Sequence, residues 1–166
     1  MEKVPIAIDY NPCAQKIAET GFEYAWAMKA EVCIVHAIAD IAYYSMEYSP
    51  IMGFAGFSAD SSFETQEEQQ NEANRFLAAV VKHLGGSNIK TKVLDGKTAD
   101  AILQYACEYK ADLIVMGAHS HNGIEKIMGN VAAKVIKNAV IPILIVPADK
   151  LSQRRNGKMQ DTLQYI

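Results

Sequence analysis

Hydrophobic positions along the chain follow two rhythms that take turns. Four stretches are apolar almost without interruption: "VPIAID" (4–9), "EVCIVHAIA" (31–39), "DLIVMGA" (112–118) and "IPILIVPA" (141–148). Short runs of this kind, rich in Val and Ile, read as buried strands. A fifth, "IKTKVLD" (89–95), alternates apolar with polar, as an edge or half-exposed strand does. Between them the spacing becomes helical. The first such segment carries Ala14, Ile17, Ala18, Gly21, Ala25 and Met28. The second carries Ala73, Phe76, Leu77, Val80, Val81 and Leu84, and the third Ala101, Ile102, Tyr105, Ala106 and Tyr109. Punctuation agrees with these limits. Asn11 followed by Pro12 is a cap and a first helical residue. Gly85-Gly86 is a stop signal, and Thr98 stands where the third helix needs a cap.

With a fourth helix inside residues 116–136, the order is β-α-β-α-β-α-β-α-β. Continuously apolar strands imply that both sheet faces are covered, hence an α/β fold with a parallel sheet and helices on both sides. In such sheets ligands bind beyond the carboxyl ends of the strands, where the strand order switches. Those ends are Asp9, the His36-Ala37 pair and Met116-Gly117.

Length and charge narrow the picture. The chain has 166 residues, half of them hydrophobic, enough for one domain with a sizeable core. The net charge of −3 gives no global pull toward nucleic acid; only "LSQRRNGKMQ" (151–160) has a local basic excess. Cys13, Cys33 and Cys107 form neither a disulfide framework nor a zinc spacing, which fits a reducing cytoplasm. No apolar run approaches a membrane span, and "MEKVPIAIDY" does not read as a signal peptide.

Two motifs fail on inspection. Gly96-Lys97-Thr98 matches the tail of a phosphate-binding P-loop, but Thr91 stands where its first glycine belongs. The dinucleotide spacing G-x-G-x-x-G is absent after the first strand, where Asp9-Tyr10-Asn11-Pro12 stands instead. The stretch "MGAHSHNGIEKIMGNVAAKVI" (116–136) remains. Gly129 and Asn130 interrupt its helical pattern, at a cost of roughly 1 kcal/mol for the glycine. One reading starts a helix after an Asn130 cap, so that free N–H groups form an anion site. The other is a kink between two helices packed by Ile124, Ile127, Met128, Val131 and Val135. His119 and His121 sit in this loop as candidate phosphate contacts, too few alone for a metal site. The aromatic-rich stretch 41–60 follows the second strand at its carboxyl end. It is expected to fold over the ligand site as a lid or to serve as an apolar contact.

At this point the chain resembles the universal stress protein family over about residues 3–148. The resemblance rests on "IAIDYNPCAQKIAETGFEYA", "CIVHAIAD" and above all "DLIVMGAHSHNGIEKIMGNVAAKVIKNAVIPILIVP". It implies an open five-stranded parallel sheet of Rossmann-like, adenine nucleotide alpha hydrolase-like type, with strand order 3-2-1-4-5. It also implies one domain over 1–149, including a long loop 40–63, and a polar tail over 150–166. The family's nucleotide-binding branch carries Gly, two residues, Gly, nine residues, then Gly-Ser or Gly-Thr. Here Ser120 stands for the second glycine, eight residues follow it, and Gly129 is followed by Asn130.

Carried over by position, the resemblance assigns ATP or another adenine nucleotide, with or without magnesium, to one set of residues. Asp9, reached through Ala7 and Ile8, would hold the ribose. Ala37 would lie by the adenine, and Met116 and Gly117 along base and ribose. His119, Ser120, Gly129, Asn130 and Val131 would surround the phosphates. The bland role for Asp9 is a turn residue ahead of Asn11-Pro12. The resemblance further implies a homodimer paired through 142–147, limited by Pro142 and Pro147. Nothing reads as a nucleophile or general base, so any catalysis would be at most slow ATP hydrolysis. The alternative is a family member that holds no nucleotide and acts through an unidentified protein partner.

Overall fold

The computed structural model describes residues 2–11, 13–38, 65–86, 88–118 and 130–147. The strands are β1 (Lys3–Ala7), β2 (Glu31–Ile38), β3 (Lys90–Asp95), β4 (Ile114–Ala118) and β5 (Ile143–Pro147). Four helices alternate with them: α1 (Ala14–Ala27), α2 (Gln66–Leu84), α3 (Thr98–Tyr109) and α4 (Asn130–Asn138). The strands form one sheet in the order β3-β2-β1-β4-β5, and every neighbouring pair is parallel. That is the expected α/β architecture and strand order. The residues of the 41–60 stretch, the 119–129 loop and the 150–166 tail lie outside the described residues.

Two cores flank the sheet. One gathers Val4, Ile6, Ile8, Tyr10, Val32, Ile34 and Val115 with α1 and α2 residues such as Ile17, Phe76, Leu77 and Val80. The other gathers Ala7, Val35, Ala37, Leu94, Ile114 and Met116 with Ala99, Ala101, Ile102, Ala106, Ala132 and Val135 of α3 and α4. Alternation along each strand makes this split, since successive side chains point to opposite faces. At β3 the outer position shows: Lys90, Thr91 and Lys92 are exposed and only Val93 and Leu94 are buried.

Helix starts depart from the sequence reading in three places, one of them α4, where Asn130 is the first helical residue and not the cap. Asn11 does not immediately precede α1. The helix begins at Ala14, and Asn11 caps from further out: its side-chain Oδ1 accepts from the Cys13 N–H at 3.0 Å and its carbonyl from the Ala14 N–H at 2.9 Å. Thr98 is the first residue of α3 and not its cap; Lys97 holds that position without a side-chain bond. Gly85 does end α2, in the left-handed conformation at φ 67°, with its N–H bonded to the Val81 carbonyl. Gly96 makes the turn before α3 at φ 101°.

Pro5 lies inside the central strand, a place proline seldom occupies because it cannot donate to the ladder. In a parallel ladder the N–H and C=O of one residue face the same neighbour. Ile8 donates to Val35 of β2, so even-numbered residues of β1 face β2. Lys3, an odd residue, accepts from Asp112 on the β4 side. Pro5 therefore presents its missing donor to β4. There the pairing comprises only Ile6 with Val115 and Ala7 with Met116.

Candidate functional site

The site is built where β1 and β4 leave the sheet, at the point where the strand order switches. From β1 the chain connects through α1 to β2 on one side, whereas β4 and β5 lie on the other. In sheets of this order, ligands bind in a crevice beyond the carboxyl ends of the strands flanking such a switch, here β1 and β4. Ala7 pairs with Met116, so the segments that continue into Ile8-Asp9 and Gly117-Ala118 lie side by side. On the other flank Ala7 pairs with Val35, which puts Ala37 two residues further out on β2. Ala7, Ala37 and Met116 share the core on the α3/α4 side. Asp9 and Gly117 are half-buried there, as residues at the rim of a crevice would be.

Asp9 does fill the turn role. Its Oδ1 accepts from the Asn11 N–H at 3.1 Å, and the Asn11 side chain in turn accepts from Cys13. Two successive side-chain turns thus lead from the end of β1 into α1. A carboxylate oxygen has lone pairs enough to accept from a turn amide and from a second donor, so the two roles are compatible.

α4 packs Ala132 and Val135 into the same core as Ala7, Ala37 and Met116. It starts at Asn130, the place where Gly129-Asn130 breaks the sequence pattern, and Asn130 is its first residue. Asn130 is exposed and Val131 half-buried. The first N–H groups of a helix have no intrahelical partner and carry partial positive charge. Lys134 ties the helix to α3 by an ion pair of 2.7 Å with Asp100, exposed on both sides and so a weak tether. The structure therefore brings together Ala7, Ile8, Asp9, Ala37, Met116 and Gly117, and places Asn130 and Val131 at the start of α4. His119, Ser120 and Gly129 lie outside the described residues. Among the described residues no group of three or more His, Cys, Asp or Glu could hold a metal ion.

His36 marks the end of β2 in the sequence, but its ring turns away from Ala37 into the α1/α2 side. It is 1% exposed and packs against Tyr10 and Phe76, with ring centroids 4.4 and 5.5 Å away. Its Nδ1 lies 3.0 Å from the Ile8 carbonyl oxygen. A carbonyl only accepts, so Nδ1 carries the proton and donates. Nε2 is then a bare acceptor, buried and without a partner among the described residues. Burial pushes the imidazole down from its ordinary value, against the Ile8 carbonyl and the Asp9 carboxylate, which favour the charged form. The ring is thus neutral near pH 7. A continuous apolar run does not say which of its members face which side, so the inward turn of His36 was not readable from "EVCIVHAIA".

Comparison with known proteins adds to this geometry. Residues 1–147 match the model of the universal stress protein family. The chain is 34% identical over 153 residues to Universal stress protein MJ0531 of Methanocaldococcus jannaschii, covering 90% of this chain and 84% of that one. The fold is similar to the universal stress protein from Archaeoglobus fulgidus in complex with dAMP (TM-score 0.61, 23% identity, 87% of this chain and 97% of that one). It is also similar to a universal stress protein in complex with cAMP (TM-score 0.60, 20% identity, 89% of this chain and 97% of that one).

Proposed function

Because the chain belongs to the universal stress protein family, we propose that it is a small cytoplasmic stress-response protein that binds an adenine nucleotide beyond the carboxyl ends of β1 and β4. One observation carries this reading. Register sets Ala7 beside both Val35 and Met116, so Asp9, Ala37 and Met116-Gly117 stand at neighbouring strand ends at the switch in strand order, and the helix that follows starts at Asn130. In this arrangement Asp9 accepts hydrogen bonds from the ribose, and Ala37 and Met116 border the adenine. Gly117 lets the backbone approach the sugar. His119, Ser120, Gly129, Asn130 and Val131 surround the phosphates. The side-chain amide of Asn130 donates to a phosphate oxygen in place of a hydroxyl. Lacking that hydroxyl, the site holds magnesium differently, and AMP or ADP is as acceptable a ligand as ATP. Hydrolysis, where it occurs, is slow.

Assembly is part of the proposal. β5 is an edge strand whose Ile143, Leu144 and Ile145 are only half-buried. An apolar edge of this kind invites pairing with a second copy over 142–147. A cytoplasmic setting agrees with Cys13, Cys33 and Cys107 forming no disulfide among the described residues and with described helices too short or too polar to cross a membrane.

Isothermal titration with ATP, ADP and AMP, with and without magnesium, tests the ligand. Binding is expected at micromolar to sub-millimolar concentration. Asp9→Ala should cost about 1.5–3 kcal/mol of it, the value of a hydrogen bond to a charged group. If nothing binds below about 1 mM, near −4 kcal/mol, the nucleotide reading falls. The substitutions at Ser120 and Asn130 and the short spacer then favour a protein that acts through a protein partner.

A further inference from the structure

His36 lies on the far side of the sheet from the crevice, yet it grips the segment that carries Asp9 at two points. Its Nδ1–H donates to the Ile8 carbonyl at 3.0 Å, immediately before Asp9. Its ring packs on Tyr10, immediately after Asp9, at 4.4 Å. Tyr10 is wedged in turn against Phe76 of α2 at 4.9 Å. Ile8 is also held through its own N–H, which donates to Val35 at 3.0 Å. Ile8 and Tyr10 are buried in the α1/α2-side core, and Asp9 between them is half-buried. From Asp9 the side-chain bonds continue to the Asn11 and Cys13 amides at 3.1 and 3.0 Å. A chain of short contacts therefore runs from a buried ring on β2 to the start of α1, with Asp9 in its middle. The arrangement also has a cost, because among the described residues the ring leaves a buried acceptor unpaired at Nε2. A hydrophobic side chain of similar size would fill the place without that cost, but it would not hold the Ile8 peptide.

We infer that His36 is a positioning residue for the nucleotide site: through Nδ1 it fixes the Ile8–Asp9 peptide and so aims the Asp9 carboxylate across the crevice. This rests on the nucleotide reading for its consequence in binding, but the positioning itself can be read without ligand.

The test uses three substitutions in the full chain. Asparagine places an N–H near the position of Nδ1, glutamine near that of Nε2, and leucine has none. Without ligand, the Asn11 and Cys13 amides should exchange about tenfold faster in His36→Leu and His36→Gln, and at the wild-type rate in His36→Asn. ATP should bind about tenfold more weakly to His36→Leu and His36→Gln, as for one lost hydrogen bond, and within about twofold of wild type to His36→Asn. Combined with Asp9→Ala, His36→Leu should add nothing further to the loss of affinity. If His36→Leu does not fold, the asparagine and glutamine variants alone decide, because they differ in reach and not in polarity. Nitrogen NMR of the ring should show the proton on Nδ1. Equal exchange and affinity in the asparagine and glutamine variants, or a proton on Nε2, would overturn the inference. Rescue of exchange by asparagine in a protein that binds no ATP would keep the positioning role and sink the nucleotide reading instead.

Discussion

On the α1/α2 side of the sheet the buried helix residues include Ile17, Phe76, Leu77 and Val80; on the α3/α4 side they are Ala99, Ala101, Ile102, Ala106, Ala132 and Val135. Each face also buries four helix alanines, Ala14, Ala18, Ala25 and Ala73 on the first and Ala99, Ala101, Ala106 and Ala132 on the second; the first adds Phe76 and three aliphatic side chains, the second only Ile102 and Val135. The α3 tyrosines, Tyr105 and Tyr109, are half-buried at the margin. Their hydroxyls donate to Cys33 Sγ at 3.0 Å and to Glu31 Oε1 at 2.7 Å. Ala7, Ala37 and Met116, the residues proposed to border the base, all belong to the second face. The bulky face is the scaffold that holds the end of β1 in place.

This contrast can be broken from either side. The largest effect should come from Phe76→Ala, which empties a fully buried site beside His36 and Tyr10. It should cost about 3–5 kcal/mol in urea unfolding, as large core truncations do. Enlargement, and not truncation, is the corresponding injury on the other face. Ala106→Leu at a position 4% exposed should cost about 1–3 kcal/mol. A loss under about 0.5 kcal/mol, within the ordinary range for surface substitutions, would mean that α3 is not closely seated. The smallest effect is titration of His36 on the bulky face. Its folded value lies below its ordinary 6.5, so on acidification the unfolded chain takes up the proton first. The stability held by the neutral ring is whole above pH 6.5 and is lost as the pH falls from there toward the folded value. The slope is at most about 1.4 kcal/mol per pH unit for one proton. Thermal unfolding across this range should show that slope in the wild type and a shallower one in His36→Asn.

Much of this was legible in the sequence, for identifiable reasons. Continuous apolar runs located four strands, three of them buried in the sheet interior and the fourth, β5, a half-buried edge, and the alternation in "IKTKVLD" marked the other edge. The glycines at 85 and 96 stopped and turned the chain as expected because their positive φ has no cheap alternative. The pattern did not fix where helices start. Asn11 caps from two residues outside α1 through its side-chain turn, and Thr98 falls inside α3. A signal that was present went unread: Thr65 and Glu68 form a capping box at α2, Thr65 accepting from the Glu68 N–H at 3.2 Å and Glu68 from the Thr65 N–H at 3.0 Å. The sequence put strand ends at Asp9 and Met116-Gly117; in the structure β1 ends at Ala7, two residues earlier, and β4 runs on to Ala118. The role of His36 was not legible, because it depends on which face of β2 it occupies.

Pro5 has a consequence for how the molecule is assembled. β1, β2 and β3 arise from one contiguous half of the chain and β4 and β5 from the other; within the sheet the two halves meet along β1 and β4, and Val115 and Val146 also pack into the α1/α2-side core. Two register pairs make that join, against five between β1 and β2 and six between β2 and β3. Below the proline it is closed by a reciprocal clasp across 109 residues of sequence: the Lys3 N–H donates to Asp112 Oδ2 at 2.8 Å and the Asp112 N–H to the Lys3 carbonyl at 2.9 Å. Contacts of such separation carry a high loop-closure cost and few bonds here offset it. The seam is therefore expected to close late as the chain folds. The crevice beyond the strand ends exists only once both halves have met.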